Sequence, residues 1–284
     1  MTRTLSPKFG HYALPANRET IRRKADTMPD TKFGHLAISA LRKLAFRGRH
    51  GPFDITIMPG VNARLYPRSN RCEKRAFAGV QIWDAVERQA LSSAFDVSTS
   101  APFIFMDVGA NVGLYSLILA AHAEAQNKPI RILAFEPDPV NRARFEFNIK
   151  ASNADIEVLP YAVSDEAGEG YMGGGDSNRG EVRLSENDDN PKVQIKTLYG
   201  VCKTEKLTHI DAMKVDIEGH DERALRAFFN AAPNTLWPHL LILETGRAHS
   251  TLQATSLLEM CTAHGYTITK RAGINSVLHL NKKP

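Results

Sequence analysis

The chain has 284 residues, with 36 lysines and arginines against 31 acids, a net charge of +5. That length buries a full core, and no apolar run approaches the length a membrane helix needs. Cys72, Cys202 and Cys261 lie far apart without metal-ligand spacing, which excludes a cysteine-built metal module and suits reduced, structural thiols.

The charge is unevenly placed. Residues 1–50 hold eleven Lys/Arg against Glu19, Asp26 and Asp30, a net of +8 that leaves about −3 for the rest. This basic arm is expected to be a partly disordered extension. Within it, His35 to Arg47 reads as a basic amphipathic helix with Leu36, Leu41, Leu44 and Ala45 apolar, suited to weak contact with an anionic membrane surface. The arm is expected to govern where the protein works, so that deleting residues 1–30 leaves turnover intact. It lacks a signal peptide's apolar segment, and the expected location is the cytoplasm.

Residues 51–102 read as strands and a helix packing on the core. Phe53 to Tyr66 gives two short strands around the turn Pro59-Gly60, and Ile82 to Phe95 is helical. From residue 103 to 284 strands and helices alternate, the mark of a mostly parallel sheet. Strands are expected at 103–107, 131–136, 156–163, 193–197, 210–216 and 239–244, and helices at 113–125, 139–151, 220–231 and 252–264. A Gly-rich, acidic insertion runs roughly from Asp165 to Pro191 and is expected to be a mobile cover. Tyr266–Lys270 and Ser276–Leu280 read as a final antiparallel hairpin.

The most informative stretch is Phe103-Ile-Phe-Met-Asp107-Val-Gly109-Ala110-Asn111-Val-Gly113. An apolar strand ends in an acid, then a glycine turn, then a helix, so the backbone can approach a ligand closely. A second strand ends at Glu136-Pro137, where an acid can accept both ribose hydroxyls of a nucleoside. The dinucleotide fingerprint requires a middle glycine, and here it is Asn111. Asp107 repels a phosphate but suits an ammonium group. The pattern therefore favours S-adenosylmethionine over NAD.

Asp211-Ala-Met-Lys-Val-Asp216-Ile-Glu218-Gly219 brings further acids to the same crevice. So many like charges need a cation, a hydroxyl donor or a metal between them. Asp216 and Glu218 are candidate bases, with His220 third. Asp221 and Glu222 read as acids complementing a helix dipole. Asp216 and Glu244 end neighbouring strands as a metal pair would, but Thr245 stands where a third ligand belongs, and no metal is assigned.

The chain resembles the FkbM-type family of S-adenosylmethionine-dependent methyltransferases. The resemblance rests on Asp107 to Gly113, Phe135-Glu-Pro137, Ala162-Val-Ser-Asp165, Asn178-Arg-Gly180, Thr197-Leu198, Lys214 to Gly219 and Leu243-Glu244. It implies a class I, Rossmann-like α/β fold and methyl transfer, usually to a hydroxyl. It also implies that Asp107 to Gly113 hold the methionine part, that Glu136 holds the ribose, and that the segment around Ala162 packs on the adenine. Tyr199 and His220-Asp221 depart from the family's Thr-Leu-Asp and Glu-Gly-Ala-Glu patterns, at positions bearing on the acceptor.

The expected function is O-methylation of a sugar, glycan, lipid or natural-product acceptor. An NAD-dependent oxidoreductase and a non-catalytic nucleic-acid-binding module are the alternatives. Nucleic acid is not the expected partner, because no aromatic-basic RNA motif and no base-methylation motif occur. Oligomeric state is not legible.

Overall fold

A computed structural model of the chain describes residues 7–174, 181, 183–185, 189, 191–217, 219–246 and 251–281. The N-terminal part carries α1 (Ala16–Ala25), α2 (Lys32–Ala45), β1 (Phe53–Met58), β2 (Val61–Leu65), α3 (Arg71–Phe77) and α4 (Ala85–Val97). Then come β3 (Phe103–Val108), α5 (Leu114–Ala125), β4 (Ile130–Phe135), α6 (Pro139–Ser152), β5 (Glu157–Leu159), β6 (Tyr161–Val163), β7 (Gly168–Gly173), β8 (Arg183–Ser185) and β9 (Lys192–Lys196). The rest is α7 (Leu198–Thr204), β10 (Ala212–Val215), α8 (Asp221–Ala231), β11 (Leu240–Glu244), α9 (Thr251–Ala263), β12 (Tyr266–Ala272) and β13 (Asn275–Leu280).

The main sheet has the order β12-β13-β11-β10-β3-β4-β5. The five strands from β11 to β5 pair in parallel, and β13 is antiparallel to both its neighbours. This is the class I methyltransferase arrangement, a mostly parallel α/β sheet closed by an antiparallel hairpin. Strand periodicity sends alternate side chains to opposite faces. Phe103 and Phe105 of β3 enter one core with Ala212, Leu240 and Val277, beneath α1 to α6. Ile104, Met106 and Val108 enter the other, beneath α7 to α9.

The strand expected over 156–163 divides at Pro160. Its first part, β5, edges the main sheet, while β6 joins a smaller sheet of order β6-β9-β7-β8. Proline has no N–H to continue a ladder. The insertion, expected as a mobile cover, carries strands of its own, β7 and β8.

The arm is also different from its expectation as a partly disordered extension: residues 7–45 are folded onto the N-terminal layer. Asp54 pairs with Arg64 at 2.7 Å, both buried, and its other oxygen accepts the N–H of Gly10 and Tyr12 at 2.8 and 3.1 Å. Arg22, 2% exposed, donates to Glu19, Asp26 and the carbonyl of Phe77. Asp26 in turn accepts the N–H of Gly79 at 2.7 Å. A charge count treats each arginine as solvated, and these partners lie up to 55 residues away. Helix α2 begins at Lys32, capped by Thr31, and its inward residues are Gly34, Ile38 and Ala45. Leu36 and Leu44, expected on the same side as Ala45, instead face outward with Phe33.

Among the described residues, no helix is long and apolar enough to cross a membrane.

Candidate active site

The turn after β3 is fixed by its neighbours. A Cβ on Gly109 would lie 1.9 Å from the carbonyl oxygen of Asp216, and one on Gly113 would lie 1.8 Å from the Phe145 ring. Both glycines and Asn111 adopt positive φ, the region open to glycine and, at modest cost, to asparagine. The N–H groups of Gly109 and Ala110 both donate to the carbonyl of Phe135, tying the turn to the end of β4. Asn111 accepts a hydrogen bond from Asn70, the cap of α3, at 2.8 Å.

A cavity of about 60 Å³ lies beyond the strand ends, lined by Gly109, Asn111, Glu136, Pro137, Ala162, Asp216 and His220 among others. Seven of the expected site residues therefore meet there. Asp107, Ala110 and Gly113 build the turn beneath without lining it. Glu218 lies outside the described residues. Met172 of β7 and Leu184 of β8 reach the same cavity, which is smaller than the few hundred Å³ a nucleoside-sized ligand needs.

Asp107 is 1% exposed. One carboxylate oxygen accepts the Ser116 hydroxyl at 2.6 Å; the other is buried without a hydrogen-bond partner among the described residues. Burial raises its pKa, and the Lys214 ammonium and Ser116 pull it back. Buried beneath the turn, this carboxylate acts on an ammonium group in the cavity through its charge. Glu136, 5% exposed, accepts the N–H of Asp138 at 2.9 Å, and burial pushes its pKa up to about 8. A carboxyl so desolvated gains from hydroxyl donors. These residues fit S-adenosylmethionine: Asp107 for its ammonium, Glu136 for its ribose, Ala162 and Pro137 as apolar wall.

Lys214 belongs to the Lys214–Gly219 motif, and its place in the site emerges only from the fold. It stands on β10 opposite Asp107 of β3, 7% exposed, and its Nζ lies 3.0 Å from the Asp216 carboxylate. Burial acts to lower its pKa, but Asp216 and Asp107 outweigh this and hold it above the usual value. The available signal was a lysine inside an otherwise apolar strand. Tyr115 also belongs here, its ring centroid 5.3 Å from the Lys214 amine and its hydroxyl donating to Asp84 at 3.0 Å.

His220 caps α8 without a side-chain cap bond and lies 3.2 Å from the Ser164 hydroxyl through Nδ1. Burial lowers its pKa, with the Arg223 charge acting the same way. It is neutral near pH 7 and able to accept a proton. Asp221 is buried and accepts the N–H groups of Ile217 and Gly219, both at 3.1 Å, clamping the loop after β10. Among the described residues no group of three or more His, Cys, Asp and Glu could hold a metal ion.

A family model described as the methyltransferase FkbM domain matches residues 107–268. No curated protein matches the chain. Among solved structures, similarity extends to an FkbM methyltransferase from Methylobacillus flagellatus KT, 15% identical, TM-score 0.40, covering 73% of this chain and 54% of that one. The chain thus spans about half the length of that relative. M. capricolum TrmK, solved with S-adenosyl-homocysteine, is 11% identical with a TM-score of 0.38, covering 68% of this chain and 69% of its own. The Pyrococcus abyssi tRNA (uracil-54, C5)-methyltransferase, also with S-adenosyl-L-homocysteine, is 12% identical with a TM-score of 0.44, covering 81% and 43%.

Proposed function

The chain belongs to the FkbM family of methyltransferases, and from that premise we propose that it O-methylates a hydroxyl of a sugar, glycan, lipid or natural-product acceptor. Its cofactor is S-adenosylmethionine, and membership of this family sets aside both the NAD-dependent oxidoreductase and the non-catalytic nucleic-acid-binding module.

The observation that carries the hydroxyl reading is the Asp216 carboxylate, which lines the cofactor cavity and is held by Lys214 at 3.0 Å. A hydroxyl is a poor nucleophile until its proton leaves, and a positioned carboxylate or imidazole supplies about 10²–10⁴-fold. The cofactor supplies an electrophilic methyl on a sulfonium. Asp216 would take the proton of the acceptor hydroxyl, whose oxygen would receive the methyl that S-adenosylmethionine, held by Glu136 and the Gly109–Gly113 turn, would supply. Lys214 holds Asp216 in place, while His220, neutral at pH 7, is the second group able to hold that proton. Holding the two reactants in a fixed relation adds the advantage of orientation.

The test uses the full chain, S-adenosylmethionine with a labelled methyl, and fractions of polysaccharide and lipid hydroxyl compounds. The label should appear in an ether that survives mild base. Methyl on nitrogen or carbon, or in a base-labile ester, would overturn the O-methylation reading.

We also propose a weak contact between α2 and an anionic membrane surface. Phe33 and Leu36 are 85% and 68% exposed on its outward side, alongside exposed Lys32, Lys43 and Arg47. Exposed apolar residues flanked by cations suit a lipid interface.

A further inference from the structure

A second, larger cavity of about 450 Å³ lies between α2, the segment 79–87 and the turn joining β12 to β13. Its walls include Ile38, Arg42, Arg75, Trp83, Asp84 and Gly273. Its size suits a small organic ligand.

Asp84 connects this cavity to the catalytic groups. It precedes α4 at the position where an aspartate ordinarily caps the helix, yet its side chain caps nothing. Its backbone is left-handed, φ 43°, a conformation that costs a non-glycine residue about 1–3 kcal/mol. In that conformation its carboxylate reaches the Tyr115 hydroxyl at 3.0 Å and comes within 3.9 Å of Arg75. Tyr115 packs against Trp83 on one side and lies near the Lys214 amine on the other. Lys214 holds Asp216, which lines the cofactor cavity. One continuous set of side chains therefore joins the two cavities.

The charges of the second cavity are unequally satisfied. Asp30 is held by His35 at 2.6 Å, and Glu87 accepts from Asn275 at 2.7 Å. Arg42 donates one nitrogen to the Ala78 carbonyl at 2.9 Å, but its Nε is buried without a partner among the described residues. Burial lowers the Arg42 pKa, and the Arg75 charge lowers it further. Two guanidinium groups that line one cavity and repel each other bind an anion favourably.

We propose that this cavity holds the methyl acceptor, and that the acceptor is a hydroxylated molecule carrying an anionic group. Arg42 and Arg75 take the anion, Asp84 accepts from a hydroxyl, and Trp83 with Ile38 gives the apolar wall. The assignment rests on the methyl-transfer reading, and it makes α2 part of the acceptor site. Neither the sequence motifs nor the family match names any of these residues.

The chain has two tryptophans, so Trp237→Phe leaves Trp83 as the reporter of cavity occupancy. That variant, intact and saturated with S-adenosylhomocysteine, is titrated with inorganic phosphate, glucose 6-phosphate and glucose while Trp83 emission is followed. Glucose 6-phosphate should bind at least about tenfold tighter than glucose. Arg42→Gln and Arg75→Gln should each weaken it about tenfold, Arg42→Lys should restore part of the loss, and Asp84→Asn should weaken glucose 6-phosphate but not phosphate. S-adenosylhomocysteine affinity should stay within about twofold throughout. No saturable change with either phosphate compound, equal binding of glucose and its phosphate, or indifference to both arginines would overturn the cavity assignment. Failure of the parent chain to bind S-adenosylhomocysteine would instead overturn the methyl-transfer reading.

Discussion

Lys214 of β10 lies directly opposite Asp107 of β3 in the parallel ladder, on the face that also carries Asp216 two residues further along. One ammonium thus stands between the acid assigned to the cofactor's ammonium and the acid assigned to the acceptor's proton. Without that cation the two carboxylates would raise each other's pKa.

Lys214→Met should therefore damage both functions at once. The Asp216 partner is 35% exposed, so solvent softens the loss, and about 1–3 kcal/mol of stability is expected to go. Asp216→Asn is more selective. It should lower kcat about 10²–10⁴-fold with S-adenosylhomocysteine affinity nearly unchanged in calorimetry. Equal losses in kcat and cofactor affinity for Asp216→Asn would show that the residue holds cofactor instead.

Adenosine binding should strengthen as pH rises toward 8. Glu136 titrates near 8 before any ligand enters. Two ribose hydroxyls donate best to the carboxylate, so binding expels a proton, and affinity rises up to tenfold per unit until Glu136 is ionised. Adenosine carries no amino-acid tail, so Asp107 does not contribute, and His220 titrates below this window. Glu136→Gln should flatten the profile and Glu136→Ala should weaken binding by about 1–3 kcal/mol. Stability moves oppositely. Because the folded-state pKa is raised above the ordinary 4.5, the contribution is full below 4.5 and is lost as pH rises through about 8. Melting temperature should thus fall across that range, less steeply in Glu136→Gln.

The small cofactor cavity, with Met172 and Leu184 reaching into it, implies that β7 and β8 move to admit a nucleoside. Hydrogen exchange at the β7 amides should slow by at least about tenfold when S-adenosylhomocysteine is added. Equal protection with and without it would make this small sheet a rigid wall.

The sheet and cofactor turn were legible because each rests on local signals. Gly109, Asn111 and Gly113 need positive φ, and Asp107 and Glu136 end apolar strands of the right period. The acceptor side was not. Asp84 matters through a left-handed backbone that no local pattern announces, and Arg42 through a helix tied to the Ala78 carbonyl, 36 residues on. Helix α3 is equally hidden, since its Asn70 cap leads into a short run holding the buried Glu73, whose partner Arg144 is 71 residues distant.

Deleting residues 1–30, which charge alone marks as harmless, should instead destabilise the fold. It removes α1, both backbone donors to Asp54 and the buried Arg22. Arg22→Ala alone removes a donor from Phe77's carbonyl, Glu19 and Asp26, and about 2–4 kcal/mol should be lost. Urea denaturation of the point variant, read from its midpoint, checks this. A shift equivalent to less than about 0.5 kcal/mol would return the arm to an appendage.

The outward side of α2 should then act independently of its inward side. Phe33→Ser with Leu36→Ser removes exposed apolar surface and touches no buried group. Binding to vesicles rich in phosphatidylserine should fall several-fold, and the residual binding should still weaken with salt, because Lys32, Lys43 and Arg47 each contribute about 1 kcal/mol near an anionic surface. Turnover on a water-soluble acceptor should not change, since neither residue lines the acceptor cavity. Vesicle binding unaltered by the double substitution would remove lipid as the partner of this helix face. Loss of turnover in parallel would mean that α2 shifts as one body, so that what touches its outer side also reshapes the cavity around Arg42.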